Sequence, residues 1–257
     1  MATLSLFTIV QNEPLWLPRW LEYYGRLADW DAVYVLDHGS RGEGAEVLLF
    51  AARDVWPVSH PYSYDDAWLV RIVQAFQQFL LASYDIVVFA AADEFLFVPG
   101  GGDFRKLLER RQQPFWPAAG YEVRQQRGEP ALDWSATRLL SQRGWYTASQ
   151  AYSKTLVAGC PIHWRPGFLG RPYNVLPGGE PELGLLHLHR IDQTSCLQRH
   201  REIAERAWHP EQRLTSVYNY NLLTDPERLE RWLLADSDRP TEYAKLVALP
   251  ADLQQLV

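Results

Sequence analysis

The sequence predicts an α/β domain with a mixed, mainly parallel sheet and a helical C-terminal region. Three observations carry this. Over the first hundred residues, short apolar runs rich in Val, Ile and Leu alternate with amphipathic stretches. The resulting order of strand, helix, strand, loop, strand, helix, strand is the one that builds parallel sheets. From about Asp192 onward the chain becomes charged and helix-like.

The elements follow in order. Residues 4–10, LSLFTIV, form the first strand. In NEPLWLPRWLEYYGRLADW, Leu17, Trp20, Leu21, Tyr24 and Leu27 recur at helical spacing, with Asn12 placed as an N-cap. AVYVLDHGS is a second strand running into a turn. VWPVSH is a third, whose Pro57 marks an edge or a bulge. Over residues 65–83, Trp68, Leu69, Ile72, Val73, Phe76, Phe79 and Leu80 mark an amphipathic helix. Residues 86–90, IVVFA, are apolar and β-branched enough for a strand buried on both faces. VPGGGD breaks the chain before a helix over 103–112. Further strand-like runs lie at 120–124, 154–158 and 185–190, among loops rich in Pro, Gly and Trp.

Composition narrows the function classes. The chain has 257 residues, 47% hydrophobic and 22% charged, which is enough for a sizeable core and unlike a disordered protein. A formal net charge of −6 without a dense basic block argues against a nucleic-acid partner. Cys160 and Cys196 make neither a disulfide framework nor a metal cluster, and two reduced structural thiols are the expectation. No cationic start with an apolar h-region occurs, and no uncharged run approaches the roughly 18 residues of a membrane span. A cytoplasmic protein with no transmembrane segment is the expectation.

Chemistry concentrates where strands end. In open α/β sheets ligands bind beyond the carboxyl ends of the strands. Asn12 and Glu13 follow the first strand, Asp37 the second, and Asp93 and Glu94 the fourth. Each has a local alternative: Asn12 as a cap, Glu13 at the helix dipole, Asp37 in a turn. Asp93 and Glu94 are the sharpest case. They break an apolar stretch, and desolvated carboxylates need a cation, a donor or open water.

VQNEPLWLPRWLEYY, VYVLDHGS and YDIVVFAAADEFLFVP, in that order, resemble the family 2-like glycosyltransferases of the glycosyltransferase A fold. The resemblance continues through GYEV, LDWSATRLLSQRGWYTASQAYSK and LLHLHRIDQTSCLQRH, and covers residues from about 4 to 205. It implies a single glycosyltransferase A-type, nucleotide-diphospho-sugar transferase domain over residues 1–205. Residues 206–257 form a helical extension packed on it. It also implies transfer of a sugar from a nucleotide-diphosphate sugar to an acceptor hydroxyl, on a carbohydrate or another molecule, with inversion.

By the same resemblance, Glu13 and Asp37 sit by the nucleoside with Asn12, and Asp93 binds a divalent cation, Mn or Mg, that bridges the diphosphate. Ala91 stands where the family has the first acid of D-x-D, so the cation is weakly held or its shell is completed elsewhere. His187 and His189 alternate along a predicted strand, so either can supply the missing ligand. Arg190 and Lys154 are cations that can neutralise phosphate without metal. For the base that deprotonates the acceptor, Asp133 in LDWS is the first choice and Glu122 in GYEV the second.

Ala91 also supports a competing class, a degenerate member that binds a nucleotide or a partner and does not catalyse. A dinucleotide-dependent dehydrogenase is disfavoured, because no G-x-G-x-x-G follows the first strand. A metal-dependent hydrolase leaves the N-E and D-x-G-S elements without a purpose.

Overall fold

The structure, a computed structural model, describes residues 1–51, 54–110, 114–171, 181–216, 219–234 and 246–257. Its first half lays down β1 (Leu4–Val10), α1 (Trp16–Leu27), β2 (Ala32–Asp37), α2 (Glu43–Ala51), β3 (Asp54–Pro57), α3 (Asp66–Leu81) and β4 (Ile86–Phe89). β5 (Glu94–Phe97), α4 (Phe104–Glu109), β6 (Phe115–Val123), β7 (Trp145–Ala148) and β8 (Lys154–Ala158) follow. β9 (His163–Arg165), β10 (Leu169–Arg171) and β11 (Leu183–His187) come next. The chain closes with α5 (Gln193–Glu205), α6 (Gln212–Thr215), α7 (Pro226–Leu234) and β12 (Leu246–Ala248).

One large sheet runs in the order β12-β7-β6-β8-β4-β1-β2-β3, with β11 pairing both β6 and β5 beside this path. The half built from β1 to β4 is parallel, as the strand–helix alternation predicts. The other half is not. Within the large sheet four described pairings are parallel and five antiparallel, so the sheet is mixed as expected but is not mainly parallel. The reversal begins at β8, which lies antiparallel to both β4 and β6. Apolar runs specify strands without specifying direction, so the sequence did not distinguish the two halves.

Other boundaries also differ. α2 occupies a stretch expected to be loop, because EGAEVLLFA shows a continuous apolar run rather than an amphipathic stripe. α4 stops at Glu109, and the end of the helix expected over 103–112 lies outside the described residues. The strand expected over 185–190 ends at His187, which leaves His189 and Arg190 in a turn. The C-terminal stretch is not wholly helical either, since β12 extends the sheet beside β7.

The core positions the loop that carries the two acids. Phe7, Phe76 and Phe89 meet at centroid distances of 5.2 and 5.1 Å between β1, α3 and β4. On the other face, α1 buries Trp16, Tyr23 and Tyr24 against Phe95. Tyr24 Oη donates to the Glu94 carbonyl (3.1 Å) and accepts from the Leu96 amide (3.0 Å), while Tyr23 Oη donates to the Leu96 carbonyl. Two phenols therefore satisfy the backbone of β5 on the side that no strand covers, as buried peptide groups require. This fixes the turn between β4 and β5, where Asp93 sits.

Candidate functional site

A cavity of about 360 Å³ opens at the carboxyl ends of β1 and β4. β5 and β8 form its floor, the loop between β9 and β10 forms one wall, and α5 forms the other. Ala91, Asp93 and Glu94 all line it. The turn from β4 into β5 thus delivers the acids to a cleft rather than to the core.

Both acids already have a cation. Asp93 Oδ2 accepts from Arg199 Nη1 at 2.5 Å, and the other arm of that guanidinium, Nη2, donates to Glu13 Oε1 at 2.7 Å. Lys154 Nζ donates to Glu94 Oε1, whose second oxygen takes the Ala91 amide at 3.3 Å. Burial works against ionisation of Asp93, but the Arg199 guanidinium outweighs it and holds the carboxyl well below its ordinary range. At Glu13 burial wins over the same guanidinium and the pKa is raised. Burial disfavours the charge on Arg199 as well, yet the two acids hold it protonated.

The histidines form a relay behind this clamp. His200 Nδ1 lies 3.0 Å from the Leu223 carbonyl, which only accepts, so Nδ1 carries the proton. His200 Nε2 then accepts from His189 Nε2 at 2.9 Å, and His189 Nδ1 is left to accept from Arg199 Nη1 at 3.0 Å. Burial keeps both rings neutral, with His189 pushed down to about 3 and His200 to about 4.

Of the residues singled out in the sequence, Glu13, Asp93, Glu94, Lys154, His187 and His189 line the cavity. His187 stacks on Tyr152 (3.8 Å between centroids) and approaches Glu122 at 3.8 Å, while Asp93 lies 3.5 Å from His189 Nδ1. The other five do not line it. Asn12 is no helix cap: it adopts φ 55°, its amide donates to Ser40 Oγ, and its Oδ1 accepts from the Arg41 amide. Asp37 Oδ1 accepts from the Ser40 amide, so the two residues tie the β1 and β2 loops together. Glu122 is buried among Arg190 (3.3 Å), Arg124 (3.5 Å) and His187. Arg190 also lies 3.6 Å over the Trp232 ring. Asp133, the first choice as base, is exposed and caps its own turn through Ser135.

The acids of the cavity do not fit a hard divalent cation as they stand. Mg and Mn take several oxygen ligands. Here Asp93 is committed to Arg199, Glu94 to Lys154, and residue 91 offers a methyl group. Among the described residues, the group able to hold a metal ion is instead His189, Cys196 and His200, whose ligand atoms lie within 4.8 Å of one another.

Sequence reading missed the basic wall. Arg199, Ile203 and Arg206 all line the cavity and follow one another at i, i+4 and i+7, a single stripe of α5 continued by the residue after it. The periodicity of QRHREIAERA contains that signal, but only the fold shows which face it serves. Arg206 Nε and Nη2 are buried with no hydrogen-bond partner among the described residues. Gln11 is similar at the other end. Its Nε2 donates to the His38 carbonyl at 2.8 Å, which turns Oε1, buried and without a hydrogen-bond partner among the described residues, into a fixed acceptor.

No family model matches the chain, and no curated protein does. Among solved structures it is similar to glucosyl-3-phosphoglycerate synthase from Mycobacterium tuberculosis. The complex of that enzyme with Mn2+, uridine diphosphate and glucosyl-3-phosphoglycerate aligns at 21% identity and a TM-score of 0.31, over 49% of this chain and 45% of that one. The complex with Mn2+, UDP-glucose and phosphoglyceric acid gives 19% and 0.32, over 48% and 44%. The complex with Mg2+ and uridine diphosphate gives 21% and 0.31, over 49% and 44%. The chain thus matches less than half the length of these enzymes, and the site is read from its own residues.

Proposed function

We propose that this protein transfers a sugar from a nucleoside-diphosphate sugar to an acceptor hydroxyl, with the diphosphate seated against Arg206 and Arg199. One observation carries the reading: in the cavity wall the Arg206 guanidinium has two buried nitrogens, Nε and Nη2, with no hydrogen-bond partner among the described residues. Leaving such donors unmet is costly, and the oxygens of a phosphate satisfy a guanidinium fork in kind and geometry. The carboxyl edge of the parallel strands is where α/β sheets hold ligands. Gln11 Oε1 at the β1 end presents an acceptor suited to the N–H of a base. Asn12 and Asp37 shape the loops beside it rather than touching the ligand.

In the transfer, the acceptor oxygen attacks the anomeric carbon as the sugar–phosphate bond breaks. The electron pair leaves with the diphosphate, where Arg199 and Arg206 stabilise the growing charge. The acceptor proton passes to a carboxylate. Glu13, Asp93 and Glu94 are the carboxylates lining the cavity among the described residues, and they replace Asp133 and Glu122 as candidates. Residues 1–205 supply most of the nucleotide-sugar-binding unit in this reading, and the segment from Arg206 onward adds Arg206 itself, Tyr220 and Asn221 to the wall.

A second reading, binding without transfer, is favoured by the ion pairs themselves, since each of these acids is already neutralised by Arg199 or Lys154. Incubation with a panel of nucleotide sugars and hydroxyl acceptors, read as release of nucleoside diphosphate, separates the two. Turnover with one donor, lost at least about 100-fold in Asp93→Asn, is expected from removal of a transition-state contact. Nucleotide binding without turnover of any donor makes the binding reading the correct one. Absence of both overturns the two together.

A further inference from the structure

We propose that His189, Cys196 and His200 form a site for one divalent transition-metal ion of zinc type. This inference stands independently of what the cavity transfers. Cys196 and His200 are one turn apart on α5 and project from the same face. His189 reaches them from the turn after β11. His200 Nε2 lies 3.6 Å from Cys196 Sγ and 2.9 Å from His189 Nε2. A tetrahedral ion with metal–nitrogen bonds of about 2.0–2.1 Å and a metal–sulfur bond of about 2.3 Å spaces its ligand atoms roughly 3.3–3.6 Å apart. The Cys196–His200 spacing already meets this, the nitrogen pair needs to open by a few tenths of an ångström, and Cys196 and His189 lie within the 4.8 Å that bounds the group.

The surroundings are those of a ligand set. All three side chains are buried, and Cys196 packs among Leu229, Leu233 and Trp232. His200 Nδ1 donates to the Leu223 carbonyl, which fixes the ring and aims the Nε2 lone pair at the cluster. Behind His189, the Asp93 carboxylate lies 3.5 Å from Nδ1, ready to orient that ring. His189 also lines the cavity, which gives an ion its way in. A thiol and two imidazoles select zinc or cobalt over magnesium, calcium or manganese, so this is not a relocated oxygen-ligand site.

The exchange balances without redox chemistry. In the metal-free protein one proton, on His189 Nε2, bridges the two rings. On binding, the ion takes the place of that bridge. The proton moves to His189 Nδ1 and is donated to Asp93, while Arg199 Nη1 turns away from His189. Cys196 gives up its thiol proton to solvent and becomes a thiolate ligand, so one proton is released per ion bound. The ion therefore acts on the same guanidinium that spans Glu13 and Asp93, which couples the site to the cavity.

The test uses the full chain, stripped of metal and titrated with Co2+, with absorption spectra recorded at each addition. A thiolate-to-cobalt charge-transfer band and intense tetrahedral visible bands, saturating at one equivalent with release of one proton, are expected. Zn2+ should erase them and an equal concentration of Mn2+ should not. Cys196→Ser should lose the charge-transfer band, Cys160→Ser should keep it, and His200→Gln should weaken Co2+ binding at least tenfold. Circular dichroism checks that each variant is folded. If a variant does not fold, the wild-type stoichiometry, Zn2+ displacement and proton count still decide the matter. No charge-transfer band at one equivalent, or a band that survives in Cys196→Ser, shows that the three side chains are a hydrogen-bonded core group only and overturns the proposal.

Discussion

Replacing Arg199 by methionine should cost about 3–4 kcal/mol of stability at pH 7. The guanidinium spans Glu13 at 2.7 Å and Asp93 at 2.5 Å, and the side chains are 19%, 10% and 9% exposed. Removing one partner of a buried ion pair typically costs about 3–5 kcal/mol, because the other charge stays behind. Here two carboxylates are stranded side by side. Partial exposure to the cavity sets the ion-pair loss near the low end of that range, and the His189 Nδ1 acceptor left unmet adds about 1 kcal/mol. Urea denaturation of both proteins at pH 7 and pH 5 measures the difference. In the wild type the depressed pKa of Asp93 contributes stability that is present above its unfolded value and lost only at more acid pH. Without Arg199 both acids favour protonation on folding, so the gap between the proteins should narrow towards pH 5. The triple variant Glu13→Gln, Asp93→Asn, Arg199→Met should recover most of the loss, since no charge is then stranded. A loss under about 1 kcal/mol for Arg199→Met, or a gap that widens on acidification, would refute the clamp.

Two further outcomes follow from local geometry and charge. Gly120→Ala would place its Cβ 2.2 Å from the Tyr152 carbonyl carbon and 2.5 Å from the Ser153 amide, both backbone atoms. Thermal and urea melts should show a loss of about 1–3 kcal/mol, as overpacking gives, and a loss under about 0.5 would contradict the packing. The second outcome concerns pH. His189 and His200 refuse protons in the folded state until about 3 and about 4, whereas unfolded histidine takes them up near pH 6.5. The unfolded state therefore binds more protons below that value, and stability should fall by up to about 3–4 kcal/mol between pH 7 and pH 5. The raised pKa of Glu13 acts in the opposite sense and makes this a ceiling. His200→Gln should flatten the slope, and wild-type stability that is level or rising across this interval would show that the rings are not held neutral.

Much of the parallel half was legible because its signals are local. Trp68, Leu69, Ile72, Val73 and Phe76 repeat at helical spacing, and the structure places α3 over Asp66–Leu81, with Asp65 accepting from the Trp68 amide at its start. Asp93 and Glu94 stood out because carboxylates interrupt an apolar run. What answers them was not legible. Arg199 lies 106 residues from Asp93 and 186 from Glu13 in the chain, and no short-range pattern joins them. Asn12 shows a different failure. A helix follows it, but a partner 29 residues away, the Arg41 amide, outcompetes the helix for its side chain. LDWS, by contrast, carried a turn signal all along, because Asp two residues before Ser is the pattern that Asp133 and Ser135 form. Reading it as a base set a sequence neighbourhood above that local chemistry.

The most direct test of the account is calorimetric titration of a nucleoside diphosphate into wild-type protein and Arg206→Gln, in the presence of a chelator. Arg206 Nε and Nη2 are buried in the cavity wall with no hydrogen-bond partner among the described residues, and glutamine keeps a polar side chain while removing the charge and the fork. The account predicts 1:1 binding by the wild type without added metal, tighter for the diphosphate than for the monophosphate, and at least tenfold weaker in Arg206→Gln. Wild-type protein that binds no nucleoside diphosphate, or a variant that binds it equally well, would contradict it.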